Sequence, residues 1–235
     1  MIKKYKQFNE SIRNLLVGPS DDEILKNLKK LKPIDLYNKS KDINFFKGMI
    51  NAFEKDKNIT PNKLLIDCCE IGNLEGVKFA YEKGANLEFN DGSPLQIASR
   101  DGHLNVVKFL VESGVNIHTY NEWAFKMAFK CMKYDVSKYL LEKGANPNIE
   151  KEYDFLFFSG DNDPKWMKLL FDYGYKIKSG EKYILNRCVS NGYYGCVELL
   201  LKNGADVHYR NDESIKISKK NGDQKMIDLL QKYMN

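Results

Sequence analysis

The sequence predicts an all-α protein in which short helix-turn-helix units are stacked into a solenoid. Three observations support this fold class: glycines recur every 30 residues, apolar residues between them follow helical spacing, and one column of positions holds small side chains. A fixed period of this length is typical of repeat proteins, whose units bury their apolar faces against their neighbours.

A glycine closes each repeat. The closing glycines are Gly84, Gly114, Gly144, Gly174 and Gly204, and each is separated from the next by 30 residues. A second column precedes the first at a fixed offset and contains Gly72, Gly102, Gly192 and Gly222, with Met132 and Asn162 at the two intervening positions. Because glycine readily adopts the positive φ of a helix C-cap, we expect two helices per repeat, each ending near one of these columns.

Aligning the repeats on this period shows which positions face the core. Two columns are apolar, namely Leu65, Leu95, Phe125, Phe155, Leu185 and Ile215, and Ala80, Leu110, Leu140, Leu170, Leu200 and Leu230. A third column holds small side chains except at one position, and contains Cys68, Ala98, Ala128, Phe158, Cys188 and Ser218. We expect this column where two helices approach closely. The predicted repeats span about 61–91, 92–121, 122–151, 152–181, 182–211 and 212–235.

One repeat carries a recognisable phrase. The segment Ser93-Pro-Leu-Gln-Ile-Ala, followed by Gly102-His-Leu and Gly114-Val-Asn-Ile, resembles the ankyrin repeat, with its Thr-Pro-Leu-His-x-Ala, Gly-His-Leu and Gly-Ala-Asp-Val phrases. The resemblance covers residues 61–235 and implies an ankyrin-repeat solenoid with shortened hairpin loops. The familiar repeat has about 33 residues, and shortened repeats of this kind resemble those of large DNA viruses and phages. The resemblance therefore implies a viral or phage protein.

The resemblance also shows where the sequence departs from the family pattern. The His of Thr-Pro-Leu-His is replaced throughout its column by Ile66, Gln96, Lys126, Leu156, Asn186 and Lys216. Other contacts must therefore hold the loops in register. The Thr column contains the aromatic residues Trp123, Tyr153 and Tyr183, which either stack along the solenoid or contribute to a binding surface.

Residues 1–60 form a separate segment that is helical by pattern. Ser20-Asp-Asp-Glu23 is a capping box, and lysines follow at the other end of the predicted helix. A solenoid must cover the exposed core of its terminal repeat, so we expect a degenerate N-terminal capping repeat. The alternative is a structural component in which this segment directs self-assembly or packaging into a virion.

Composition and motifs argue against several classes of function. The formal net charge is +5, but residues 1–60 contain 13 Lys and Arg against 8 Asp and Glu. The remaining residues contain 24 basic and 24 acidic side chains, and a neutral main body does not favour nucleic-acid binding. Five cysteines without a Cys-x-x-Cys pair argue against a disulfide framework or a zinc site. We found no signal peptide, membrane helix, phosphate-binding loop or catalytic motif. We therefore expect no cofactor, no metal and no enzymatic activity, and a cytoplasmic monomer, in the host cytoplasm if the protein is viral.

The resemblance to ankyrin proteins implies a protein partner, and a host protein if the chain is viral. Partners of that family generally dock on the hairpin tips and on the exposed side of the first helices. The residues of this chain at those positions are Arg100, Asp101, Tyr120, Trp123, Lys130, Cys131, Glu150, Tyr153, Tyr183 and Arg210. We predict that these residues form the partner-binding surface.

Overall fold

The computed structural model describes residues 60–148, 164–177 and 183–234. All regular secondary structure in these ranges is helical, which confirms the predicted all-α fold class. The chain divides into two compact units, residues 1–137 (unit 1) and 138–235 (unit 2). The predicted N-terminal segment, except for Thr60, and most of the repeat predicted at 152–181 lie outside the described residues.

In unit 1, the helices come in pairs. They are α1 (Pro61–Ile71), α2 (Leu74–Glu82), α3 (Phe89–Asp101), α4 (Leu104–Glu112) and α5 (Thr119–Lys130), followed by α6 (Tyr134–Glu142), which ends in unit 2. The first helices α1, α3 and α5 pack side by side. The second helices α2 and α4 pack against α1 and α3, respectively, and against each other.

Unit 2 shows the same pairing. Its described helices are α7 (Lys165–Asp172), α8 (Tyr183–Ser190), α9 (Tyr194–Lys202), α10 (Tyr209–Lys220) and α11 (Gln224–Gln231). The first helices α8 and α10 pack against each other, and α9 and α11 pack against the first helices of their own repeats.

The predicted core columns are buried wherever they are described. The two apolar columns and the small-residue column are each at most 7% exposed, and Phe155 and Phe158 lie outside the described residues. Burying a large apolar side chain contributes roughly 1.5–3 kcal/mol. The core columns therefore supply the main stabilisation of each unit.

One glycine of the second column is required by an interaction between repeats. Gly72 ends α1 with φ +72°, and a Cβ on it would lie only 2.3 Å from Nδ1 of His103. The other ring nitrogen of His103, Nε2, donates a hydrogen bond to the backbone oxygen of Glu70 at 2.9 Å. Gly72 thus leaves room for a histidine that ties the second repeat to the end of α1.

The loops between repeats begin with a local turn specified by Asn or Asp. Two residues after the closing glycine, the side-chain oxygen accepts a hydrogen bond of 2.8–3.0 Å from the backbone N–H two residues further on. The four such pairs are Asn86 with Glu88, Asn116 with His118, Asn146 with Asn148, and Asp206 with His208. Short polar side chains favour this turn, which explains the Gly-x-Asn/Asp phrase.

At the beginning of α3, α5 and α10, three consecutive residues have positive φ. These left-handed turns consist of residues 90–92, 120–122 and 210–212. The conformation costs L-residues other than Asn and Asp about 1–2 kcal/mol each. The second residue of each turn is Asp91, Asn121 or Asn211, a type that tolerates this conformation.

Side chains of the preceding loop tie these loops in register. The backbone N–H of Asn116 donates to Oε1 of Glu88 at 3.0 Å, and that of Lys176 donates to Oδ1 of Asn148 at 2.8 Å. Both pairs join positions 28 residues apart. These bonds hold adjacent loops together where the family's usual histidine is replaced.

Candidate protein-binding surface

Unit 1 brings six of the predicted partner-binding residues onto two neighbouring first helices. Arg100 and Asp101 lie at the end of α3, Lys130 and Cys131 at the end of α5, and Tyr120 and Trp123 at its beginning. All six are exposed or half-buried. Unit 1 therefore offers two groups of candidate residues, one at the ends of its first helices and one at the loop turns where these helices begin.

The ends of the first helices carry an ordered charge cluster. The guanidinium of Arg100 donates two hydrogen bonds to the carboxylate of Asp101, each 2.7 Å long, and its Nη2 lies 3.9 Å from Oε1 of Glu70. The hydrogen bond to Asp101 raises the pKa of Arg100. A bidentate pair fixes the guanidinium plane, so Arg100 presents a fixed cationic group beside the acids.

Cys131 is the one cysteine that is not buried. Cys68, Cys69, Cys188 and Cys196 are all buried. Burial raises the pKa of the Cys69 thiol to about 12. The reactive thiolate is therefore suppressed at the buried sites, and Cys131 is the accessible thiol of the surface.

At the loop turns, Tyr120 is tied to the preceding repeat. Its hydroxyl donates a hydrogen bond to Oδ2 of Asp91 at 2.8 Å, and this bond raises the pKa of the phenol. The ring remains 59% exposed. Trp123 is half-buried. The turn thus presents an aromatic ring to solvent in a fixed position.

Unit 2 contains two more of the predicted residues, and two lie outside the described ranges. Tyr183 begins α8 and is half-buried, whereas Arg210 is exposed in the left-handed turn at the beginning of α10. The guanidinium of Arg210 lies over the ring of Tyr209, with its Cζ 5.4 Å from the ring centroid. Glu150 and Tyr153 lie outside the described residues, so stacking of Trp123, Tyr153 and Tyr183 stays a prediction.

Sequence reasoning missed several residues that shape the loop turns. Asp91 accepts a hydrogen bond from the hydroxyl of Tyr120, and Glu122 accepts a 2.6 Å hydrogen bond from Nδ1 of His118. An equivalent pair joins His208 and Asp212 at 2.6 Å. A signal for these His–acid pairs was present in the sequence, because a His followed four residues later by an acid recurs after three repeat periods. The left-handed turn that brings the two side chains together has no sequence pattern of its own.

Residues in the column where the ankyrin pattern has His also form hydrogen bonds with nearby residues. Nε2 of Gln96 donates to the backbone oxygen of Asp91 at 3.0 Å, which fixes the first left-handed turn. In unit 2, Nδ2 of Asn186 donates to Oε2 of Glu213 at 2.7 Å, and the hydroxyl of Ser214 donates to Oδ1 of Asn186. Polar residues at this column therefore join a first helix to its own turn or to the next repeat.

Two kinds of feature are not found in the described ranges. No helix there has the length and apolar character needed to cross a membrane. No group of three or more His, Cys, Asp or Glu side chains in those ranges is placed to hold a metal ion.

Comparison with known proteins identifies the repeat. The family model described as "Ankyrin repeats (3 copies)" matches residues 37–121 and 64–151, and a single ankyrin-repeat model matches residues 184–212. The first match begins inside the segment predicted to be an N-terminal cap. No curated protein sequence matches the chain at a significant level.

Solved structures show the same fold. A chain in the complex of the Bd0816 predatory endopeptidase from Bdellovibrio bacteriovorus with the immunity protein Bd3460 is 26% identical, with a TM-score of 0.56, and the match covers 72% of this chain and 97% of that chain. The ankyrin repeat domain of human ASB11 is 21% identical, with a TM-score of 0.55, and the match covers 73% of this chain and 83% of that chain. At this identity, the likeness supports the fold alone. The family models together match more than half of the sequence, and the chain belongs to the ankyrin-repeat proteins.

Proposed function

We propose that this chain is a non-enzymatic scaffold that binds a partner protein through the exposed side of the first helices and the loop turns of unit 1. The observation that carries this proposal is that Tyr120 and Arg100, on neighbouring first helices, are exposed or half-buried and are each held in place by an acid. Aromatic and Arg side chains dominate the energy of many protein interfaces. Fixing them before binding reduces the entropy lost on association.

The opposite face of the repeats has a different character. The second helices carry oppositely charged residues four positions apart, such as Lys138 with Glu142 at 3.8 Å and Lys168 with Asp172 at 2.8 Å. Such exposed pairs contribute little to stability and suit a solvated surface. This contrast supports assigning binding to the first-helix face rather than to the second helices.

The solved complex supports a protein partner as the ligand class. The similar chain from Bdellovibrio bacteriovorus belongs to an assembly of two proteins, an endopeptidase and an immunity protein. We further propose that the partner is a host protein of a virus or phage, on the basis of the 30-residue glycine period. Co-purification of partners from viral, phage and cellular sources tests the proposed viral or phage origin of the chain separately from its ability to bind a protein.

The test is affinity capture with the tagged full chain and two matched variants. The first variant combines Arg100→Glu, Tyr120→Ala and Lys130→Glu on the candidate surface. The control combines Lys78→Glu, Tyr81→Ala and Lys108→Glu on α2 and α4, and therefore makes the same changes on the second helices. Circular dichroism and thermal unfolding establish that both variants are folded.

We expect the parent and the control to capture the same protein and the first variant to lose it. Equal capture by both variants contradicts the assigned surface. Failure of the parent to capture any protein, together with a self-associated mass in light scattering, contradicts the scaffold function and supports self-assembly.

A further inference from the structure

The loop turns of unit 1 form a small surface that contains no lysine or arginine. This tip surface consists of Glu88, Phe89, Asp91 and Tyr120, and residues 84–99 and 113–125, which build it, contain no Lys or Arg. The same two segments contain the acids Glu88, Asp91 and Glu122, in a chain whose net charge is +5. The tip surface is therefore locally acidic in a basic protein.

Two aromatic rings of the tip surface are accessible. Tyr120 is 59% exposed and Phe89 is 38% exposed, which makes them two of the few large apolar side chains that are exposed among the described residues. The hydroxyl of Tyr120 is held by Oδ2 of Asp91 at 2.8 Å, and the backbone oxygen of Asp91 is held by Gln96 at 3.0 Å. The carboxylate and the ring are thus positioned together before any ligand arrives.

The carboxylates of the tip surface have no cationic partner. Among the described residues, neither Glu88 nor Asp91 forms an ion pair. Glu88 accepts the backbone N–H of Asn116, and Asp91 accepts the Tyr120 hydroxyl, so both acids are held by neutral donors. Their negative charge is therefore available to an external cation.

A third carboxylate lies under the same turn. The side chain of Glu122 is 8% exposed, its Oε1 accepts from His118, and its Oε2 is buried without a hydrogen-bond partner in the described part of the chain. One oxygen of Glu122 is therefore satisfied by the imidazole of His118, and the other is buried without a donor.

We propose that the tip surface of unit 1 receives a Lys or Arg side chain from a basic segment of the partner protein. This inference rests on the proposed function and names the chemistry of the partner. An ammonium or guanidinium group over an exposed tyrosine ring gains about 0.5–1 kcal/mol from the cation–π interaction. An adjacent carboxylate adds a charge-assisted hydrogen bond, and Asp91 lies within hydrogen-bond distance of that same ring's hydroxyl.

The chain itself supplies substitutions that the turn accepts. Arg210 occupies the position of Tyr120 three repeats later, with φ 51° against 48°, and Asn121 and Asn211 occupy the position of Asp91 with φ 55° and 54° against 54°. Tyr120→Arg and Asp91→Asn therefore change the charge of the tip surface without introducing a residue that is foreign to this turn. Tyr81→Arg, at a tyrosine of α2 that is 51% exposed, makes the same change on a second helix and is the matched control.

The experiment measures binding of labelled peptides to the full chain by fluorescence anisotropy. The probes are short glycine-serine peptides that carry spaced Arg, Lys, Gln or Glu residues and are otherwise identical. We expect the Arg and Lys peptides to bind and the Gln and Glu peptides not to bind. Tyr120→Arg and Asp91→Asn should each weaken binding of the basic peptides about tenfold, whereas Tyr81→Arg should not weaken it.

Each other outcome overturns the inference. If the basic peptides bind the two unit 1 variants as tightly as the parent, their attraction arises elsewhere on this basic chain. If no peptide binds, the tip surface does not select cations. The scaffold function is tested separately, by affinity capture. Preferential binding of the Gln or Glu peptides also contradicts the assigned chemistry.

Discussion

The turns at 118–122 in unit 1 and at 208–212 in unit 2 have the same backbone but different tips. In each, three consecutive residues have φ between 48° and 65°, and a His donates to an acid four residues later at 2.6 Å. The tip residue, however, is Tyr120 in one and Arg210 in the other. Moreover, the side chain of Glu122 is 8% exposed whereas that of Asp212 is 40% exposed.

This comparison separates what builds a repeat from what the repeat displays. The turn depends on an Asn or Asp that accepts a backbone N–H, on the His–acid pair and on a residue that tolerates the left-handed conformation. The tip residue takes no part in those contacts. It can therefore vary in charge and size between repeats, which is the freedom that a binding surface needs.

The largest effect should come from the interior, where the two units are alike. Leu110 and Leu200 occupy the same column and are 0% and 1% exposed. Leu110→Ala and Leu200→Ala should each lower the free energy of unfolding by about 2–5 kcal/mol, because each leaves a cavity in a packed core. Urea titrations followed by circular dichroism measure both losses. A loss confined to one of the two variants would show that the units do not share a packing scheme.

A smaller effect should distinguish the acids of the two turns. Glu122→Ala should lower the free energy of unfolding by about 1–3 kcal/mol, because a buried side chain and its bond to His118 are lost. Asp212→Ala should cost less than about 1 kcal/mol, since that pair is largely solvated. The same titrations measure both variants. Equal losses would mean that burial does not separate the two turns.

Thiol labelling should separate the two units by kinetics rather than by stability. Cys131 in unit 1 is half-buried, whereas Cys188 and Cys196 in unit 2 are buried, as are Cys68 and Cys69. At pH 8 a thiol-reactive dye should label the native chain once, at Cys131, because burial raises the pKa of Cys69 to about 12 and disfavours its thiolate. Mass spectrometry locates the label. Rapid labelling of Cys188 or Cys196 in the native protein would contradict the assigned core.

The smallest effect concerns ionisation at the tip. The hydrogen bond to Asp91 raises the pKa of Tyr120, so the fold favours the protonated phenol and loses this contribution as the pH rises through that pKa. Asp91→Asn should move the pKa of Tyr120 back towards the ordinary value of about 10. The difference in ultraviolet absorption between each protein and its Tyr120→Phe derivative reports this titration. An unchanged pKa in Asp91→Asn would show that the hydroxyl is not held by the carboxylate in solution.

The sequence was sufficient to predict the fold because the period and the core columns depend on side-chain size and apolarity alone. Leu65, Leu110 and Ala128 could be assigned to the interior from their spacing, and the structure buries all three. Such assignments succeed because a stacked repeat imposes the same contact on every copy of a column.

The details of the loop turns could not be predicted in the same way. The replacement of the family's histidine indicated that other contacts hold the loops, but not that Glu88 would accept the backbone N–H of Asn116. Nor does a sequence pattern reveal that Tyr120 adopts φ 48° and reaches Asp91 in the preceding turn. These contacts depend on a left-handed conformation that ordinary side chains rarely adopt.

Hydrogen exchange of the full chain, alone and bound to its captured partner, tests the central claim most directly. Slower exchange on binding should appear in peptides that cover residues 86–101 and 116–131, which contain the loop turns and first helices of unit 1. Peptides that cover the second helices, residues 74–82 and 104–112, should exchange at unchanged rates. Protection of the second helices, with none at residues 86–101 and 116–131, would contradict the assignment of the binding surface.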